Sequence, residues 1–132
     1  GVARSSVRVV PGTGWHGAER HLRDHWRWTS GRAELALINE STEPVLAIVR
    51  GEATSAGGIR SVRVLTGERL LWGDHVGGGP AEFRFGLTLP PGETVLVFVS
   101  DRRGEKVSTD PRDLAFQITN LDIVVKPAPA PR

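Results

Sequence analysis

Apolar and polar residues alternate along much of this chain with a period of two. The cleanest case is residues 82–89, where Phe83, Phe85, Leu87 and Leu89 share one parity and Glu82, Arg84, Gly86 and Thr88 the other. Ala33, Leu35 and Leu37 alternate in the same way with Glu34, Ala36 and Ile38. A period of two puts one set of side chains on each face of an extended strand, so both stretches predict strands with one buried face. Residues 44–50 are apolar at both parities, which suits a strand in the middle of a sheet. Further strands are expected at 2–10, 26–29, 59–65, 69–72 and 94–99, with Thr66-Gly67-Glu68 closing a hairpin between 59–65 and 69–72. The last strand changes phase. Leu114, Phe116 and Ile118 have one parity and Leu121, Ile123 and Val125 the other, so a bulge or bend near Thr119-Asn120 is needed to keep both sets on the core side. Residues 13–24 carry no clear period and read as irregular, with a short helix over 18–24 as the alternative. Residues 73–80 read as a long Gly-rich loop, and 100–109 as a polar one.

Eight or nine short strands with no long helix predict an all-β fold. Its expected form is an antiparallel β-sandwich of jelly-roll type, occupying residues 1–126 as one domain. The Pro/Ala-rich stretch 127–132 is expected to be a disordered tail. Composition agrees with this class. The 16 Gly and 9 Pro supply many turns, while 39% apolar and 24% charged residues are ordinary values for a globular domain. No apolar run approaches the about 18 residues needed to span a bilayer. Any leader segment is expected to have been removed or to lie outside this chain.

Charge and chemistry exclude more than they select. The net charge is +2, and 15 of the 17 basic residues are Arg, without clustering, so nucleic acid is not an expected partner. The Arg bias suits planar pairing with carboxylates, although genome composition accounts for it equally well. The absence of Cys removes disulfides, thiol chemistry and Cys-ligated zinc. His16, His21 and His25 lie close together beside Asp24, but their spacing fits neither a helical pair nor one strand face, so they read as exposed loop histidines and no metal is expected. Glu19, Asp24, Asp74 and Glu82 form no locally supported acidic pair, and no nucleophile elbow is present. Gly77-Gly78-Gly79-Pro80 lacks the Lys-Ser/Thr of a phosphate loop. The expectation is a domain that is not an enzyme and needs no cofactor.

The candidate chemistry is aromatic. Four Trp stand among no Tyr: Trp15, Trp26, Trp28 and Trp72. An exposed indole offers a flat apolar face on which a pyranose ring can stack while nearby polar groups bond its hydroxyls. Trp15, Trp26 and Trp72 are the candidate stacking residues, with His25, Asp74 and His75 as polar partners. Trp72, entering the Gly-rich loop, is expected to be the most exposed. Trp26 and Trp28 share a parity, with Arg27 facing the other way, and Trp28 is expected in the core. Glu19, Arg27 and Arg112 read as structural: a carboxylate and a guanidinium near a Trp can form a bidentate pair that pins an irregular loop to a sheet.

Taken together, Gly-Trp-x-x-x-Glu at Gly14 to Glu19, Arg27-Trp28-Thr29, and Asp110-Pro111-Arg112-x-Leu114 resemble the β-sandwich domains at the C-termini of bacterial membrane glycosyltransferases of the protein mannosyltransferase-like class. The resemblance covers about residues 9–125. It implies a non-catalytic, carbohydrate-binding-module-like domain outside the cytoplasmic membrane, attached to the membrane only through its parent protein. A glycan or polyprenyl-linked sugar is the implied partner. The family's catalytic carboxylates lie in the membrane part, so none is carried over. A structural or protein-interaction domain with no small ligand is the alternative.

Overall fold

The structure, a computed structural model, describes residues 6–107 and 109–129. Twelve strands follow one another without an α-helix among the described residues: β1 (Val7–Pro11), β2 (Glu19–His21), β3 (Asp24–Trp28), β4 (Arg32–Asn39), β5 (Val45–Ser55), β6 (Arg60–Thr66), β7 (Arg69–Val76), β8 (Ala81–Leu89), β9 (Gly92–Ser100), β10 (Glu105–Lys106), β11 (Asp113–Leu114) and β12 (Phe116–Pro127). A first sheet has the order β1-β4-β9-β6-β7 and a second the order β2-β3-β12-β5-β8, while β10 and β11 form a small ribbon. All pairings are antiparallel. The pairs β3·β12, β4·β9, β5·β8 and β6·β7 are nested in the sequence and alternate between the two sheets. That is one long hairpin rolled into a sandwich, the jelly-roll arrangement expected from the strand pattern.

The core lies between the sheets and follows the alternation. Leu35 and Leu37 from β4, Val62 and Val64 from β6, and Leu96 and Phe98 from β9 meet Val45, Ala47 and Val49 from β5 and Phe83, Phe85, Leu87 and Leu89 from β8. Phe98 is fully buried and sits edge-on to both Trp15 (5.5 Å) and Phe83 (6.2 Å), so it joins the two ends of the core. Gly51 faces inward beneath Phe83; a Cβ there would stand 2.8 Å from the Phe83 ring. The only charged side chain buried in this interior among the described residues is Arg60. Its Nε donates to the Ala56 carbonyl (3.2 Å) and its Nη1 to the carbonyls of Arg102 and Arg103 (2.9 Å each), which holds the 101–104 turn onto the sheet.

The phase change in the last strand is a bulge where the sequence requires one. The register of β12 against β5 shifts between Thr119 and Asp122, and Asn120 takes φ 54°. Phe116 and Ile118 are buried before the bulge, and Leu121, Ile123 and Val125 pack against the core after it. Three expectations are corrected. Residues 18–24 form no helix but the tight β2–β3 hairpin, whose tip residue Leu22 has φ 55° and is 84% exposed. Pairing of Glu19 with Trp26 outweighs the weak helical propensity of so short a stretch. The expected loop at 73–80 is shorter, because β7 continues through Asp74 and His75 to Val76 along β6. The final strand also runs on to Pro127, which pairs with Val45, so the first residue assigned to the tail belongs to the sheet. Residues 1–5, part of the expected first strand, and 130–132 of the expected tail lie outside the described residues.

Because Phe98 fills the space shared by Trp15 and Phe83, Phe98→Ala is expected to cost about 3–5 kcal/mol of stability. Chemical denaturation of the variant against the parent chain checks it.

Candidate ligand-binding surfaces

The three sequence motifs converge at one edge of the sandwich. Gly14 (φ 91°) passes so close to β4 that a Cβ would collide with the Arg32 carbonyl, and this approach seats Trp15 over the end of the core. Trp15 forms a bridge with Thr29 and its Nε1 donates to the Glu34 carbonyl at 2.8 Å. Arg112 grips Asp110 with two parallel bonds, Nε to Oδ1 (3.0 Å) and Nη2 to Oδ2 (2.8 Å), and reaches Glu19 Oε2 with Nη1 at 3.2 Å. The bidentate pair expected near a Trp is therefore made by Arg112. Arg27 does not pair with Glu19; its Nη1 donates to the His16 carbonyl at 3.1 Å. His16 Nε2 in turn donates to the Asp113 carbonyl at 2.9 Å, a second tie between the early and late motifs. The side-chain hydrogen bond from Arg112, joined by its backbone N–H, holds the Asp110 carboxyl down at about 2, well below the usual carboxylate range. The same pairing, with Glu19 adding to it, raises the Arg112 guanidinium further.

Register decides which way each aromatic faces. Arg27 lies opposite Ile118, which is buried, so Arg27 faces the interior. Trp26 and Trp28 lie opposite Thr119 and Gln117 and therefore project from the outer face of the second sheet. Trp28 is thus not a core residue, contrary to its expected place; neither it nor Trp26 packs with the hydrophobic core. Trp72 is corrected in the opposite sense. It is half-buried between the sheets, its ring 5.4 Å from Phe83, rather than exposed in a loop. Asp74 and His75 stay exposed on β7, where Asp74 Oδ1 accepts the His75 N–H at 2.8 Å. β7 is the far edge of the first sheet from β1, four strand spacings or roughly 19 Å away. The candidate set therefore splits: Trp15, Trp26 and His25 come together at one edge, while Trp72, Asp74 and His75 stand at the other.

Two surfaces result. The first is the outer face of the second sheet, where cross-strand pairing makes a row Glu19, Trp26, Thr119, Glu52, Glu82 and beside it a row Trp28, Gln117, Thr54. Gln117 Nε2 donates to Thr119 Oγ1 at 3.3 Å. At the far end of the first row the β12 bulge opens a shallow hollow of about 460 Å³, walled by Arg50, Glu52, Glu82, Arg84 and Asn120. Asn120 is itself oriented there, donating to Asp24 Oδ1 (2.9 Å) and accepting the His25 N–H (3.0 Å). The second surface is a cleft of about 350 Å³ that opens between β1 and the β2–β3 edge and is lined in part by Trp15, His25, Trp26 and Arg27. Glu52, Thr54, Gln117, Thr119 and Asn120 were not among the expected site residues. The parity of Glu52 and Thr54 with Arg50 was a usable signal, hidden by the two-faced apolar run just before them. Among the described residues, no three His, Asp or Glu side chains converge as metal ligands.

No protein-family model matches this sequence, and no curated protein does. Solved structures do match in shape. The chain is similar to the Podospora anserina GH26-CBM35 β-(1,4)-mannanase, with a TM-score of 0.51 and 12% identity; 98% of this chain aligns and spans only 29% of that one. It is also similar to a family 35 carbohydrate binding module from Clostridium thermocellum (TM-score 0.46, 10% identity, 91% of this chain and 92% of that one). A third similarity is to the CBM36-1 domain of a multidomain xylanase from the hindgut metagenome of Trinervitermes trinervoides (TM-score 0.42, 12% identity, 94% and 99%). At such identities the likeness of shape to the mannanase chain establishes the β-sandwich fold and says nothing of a ligand.

The depressed Asp110 makes the motif lock sensitive to acid. Its carboxyl binds a proton more readily in the unfolded chain, near the ordinary value of 3.8, than in the folded one, at about 2. Its contribution is therefore complete above that ordinary value and is lost as pH falls through the folded one. Asp110→Asn is expected to be the less stable protein at neutral pH. The gap to the parent should close between the same two values, 3.8 and about 2, as thermal melts across that range would record.

Proposed function

We propose that this chain is a non-catalytic module that binds a glycan on the outer face of its second sheet. The observation that carries this reading is the outward pair Trp26 and Trp28 on β3, flanked on neighbouring strands by an amide, two hydroxyls and a carboxylate: Gln117, Thr119, Thr54 and Glu52. Indole faces remove the apolar face of a sugar ring from water, while amide, hydroxyl and carboxylate groups replace the water bonded to its hydroxyls. Glu52, Glu82 and Arg84 form no ion pair among the described residues, which leaves their polar atoms for such bonds. Trp26 and Glu52 lie two strand spacings apart, roughly 10 Å, a span suited to two linked sugar rings. The open, shallow form of this face supports weak binding of an extended chain rather than tight enclosure of a small molecule. Known modules for carbohydrate share this fold, which agrees with the reading without choosing the sugar.

The motif resemblance extends the proposal. The module would belong to a larger membrane glycosyltransferase-like protein, act on the extracytoplasmic side, and position a glycan or polyprenyl-linked acceptor for its parent. The alternative, a bracing or protein-interaction domain without a small ligand, draws support from one observation: Glu19, Asp110 and Arg112 of the motif spend their hydrogen bonds on one another.

Titration with a panel of bacterial glycans, followed by intrinsic Trp fluorescence, tests the module. A saturable shift is expected with one glycan class, and Trp28→Ala or Trp26→Ala should weaken it about tenfold or more, the worth of one stacking face in a shallow site. Trp72→Ala, by contrast, should lower stability and leave affinity within about twofold. Unchanged affinity in the Trp26→Ala/Trp28→Ala double variant would sink the platform and shift weight to the bracing domain.

A further inference from the structure

The cleft at the β1/β3 edge carries chemistry that the outer platform does not use. Its walls are apolar, drawn from Val9, Pro11, Trp15, Leu35, Ile118 and Leu121. Leu35 and Ile118 are buried, whereas Val9 is 40% exposed, so the cleft runs from the surface into the space between the sheets. Its charged or titratable lining is Arg27 and His25, and no carboxylate lines it. Arg27 is half-buried and inward-facing, and among the described residues no Asp or Glu lies within ion-pair distance of it. Of its five N–H donors, one is accounted for by the His16 carbonyl. The acids nearby are engaged elsewhere: Glu19 with Arg112, Asp24 with Asn120, Glu34 with Arg32. Arg20, opposite His25 on β2, adds a second guanidinium at this edge.

A guanidinium drawn partly out of water without an anion is unfavourable, and an anionic group forking onto it relieves the cost. The apolar walls make the complementary demand. They offer nothing to a sugar's hydroxyls, but they would shield a hydrocarbon chain from water. About 350 Å³ lies at the small end of the range for clefts that enclose small molecules.

We propose that this cleft binds a small amphipathic anion. A carboxylate or phosphate head sits on Arg27 with His25 at the rim, and an apolar chain lies against Trp15 and Leu121 toward Leu35. Trp26 borders both this cleft and the glycan platform, but the two sites use opposite faces of β3: Arg27 faces the interior, while Trp28 projects outward and does not line the cleft.

Calorimetric titration with decanoate and with decyl phosphate, each below its critical micelle concentration, tests this, with decanol as the neutral control. At least one anion is expected to bind saturably, about tenfold or more tighter than decanol, and the tighter of the two identifies the preferred head. Val9→Asp places a carboxylate at the exposed mouth without touching the core and is expected to weaken the anion about tenfold or more. Arg27→Gln should do the same, with thermal melts confirming that it folds. Trp28→Ala should leave anion binding unchanged, and Val9→Asp should leave glycan binding unchanged, so either site can fail alone. Absence of saturable binding, equal affinity for decanol, or anion binding that survives Val9→Asp would overturn the assignment. So would concentration-dependent dimerisation of the chain without amphiphile that Val9→Asp abolishes, since a second copy would then be the occupant.

Discussion

Everything at the β3 edge of the sandwich depends on how two residues of β12 point. Phe116 and Ile118 are buried between the sheets, and strand β3 pairs with them in a register that puts Thr29 opposite Phe116 and Arg27 opposite Ile118. In a regular strand successive side chains alternate, so this pairing sends Arg27 inward and both Trp26 and Trp28 outward. A slip of one residue would exchange them, burying two indoles and exposing the guanidinium. The bulge at Asn120 belongs to the same constraint. It lets β12 keep its apolar residues on the core side over its whole length, and it opens the hollow beside Glu52 and Glu82.

The pinning of this edge is electrostatic. Arg112 clamps Asp110 bidentately within the stretch before β12 and reaches across to Glu19, and His16 reaches Asp113, so two bonds tie that stretch to the one before and within β2. A planar guanidinium suits this task because its donors are fixed in a fork that matches a carboxylate. The clamp, like the buried Arg60 that holds the 101–104 turn, uses arginine where a short irregular segment has no strand of its own to join. Both explain part of the Arg-rich composition without any nucleic acid partner.

The two faces of one strand therefore carry different chemistry. Outside, indoles stand beside amide, hydroxyl and carboxylate groups, the mixture that suits a hydroxylated ring. Inside, a guanidinium with no carboxylate partner among the described residues meets an apolar cleft, the mixture that suits an anion with a hydrocarbon body. β3 is short and near the edge of its sheet, with only the three-residue β2 beyond it. That position is what leaves both of its faces within reach of solvent, whereas the same alternation on β5 buries one face completely.

Much of the fold was legible in the sequence. Alternation at 82–89 and 33–38 marked strands and their buried faces, and the phase change at Leu121 required a bulge that stands where it was expected. These features are local, set by backbone period and by which side chains avoid water. The site was less legible. Sequence alone puts Trp26 and Trp28 on one face and Arg27 on the other, but which face meets the core depends on β12, some ninety residues later. Trp72 looked exposed because Gly73 follows it, yet β7 continues beyond that glycine, and the facing sheet supplies Phe83 to pack against it. Glu52, Thr54, Gln117 and Thr119 become neighbours of the tryptophans only through cross-strand pairing. Period and polarity are properties of a chain segment and were determined by the sequence. Facing direction and adjacency belong to pairs of segments, and only the tertiary structure, by choosing partner and register, decided them.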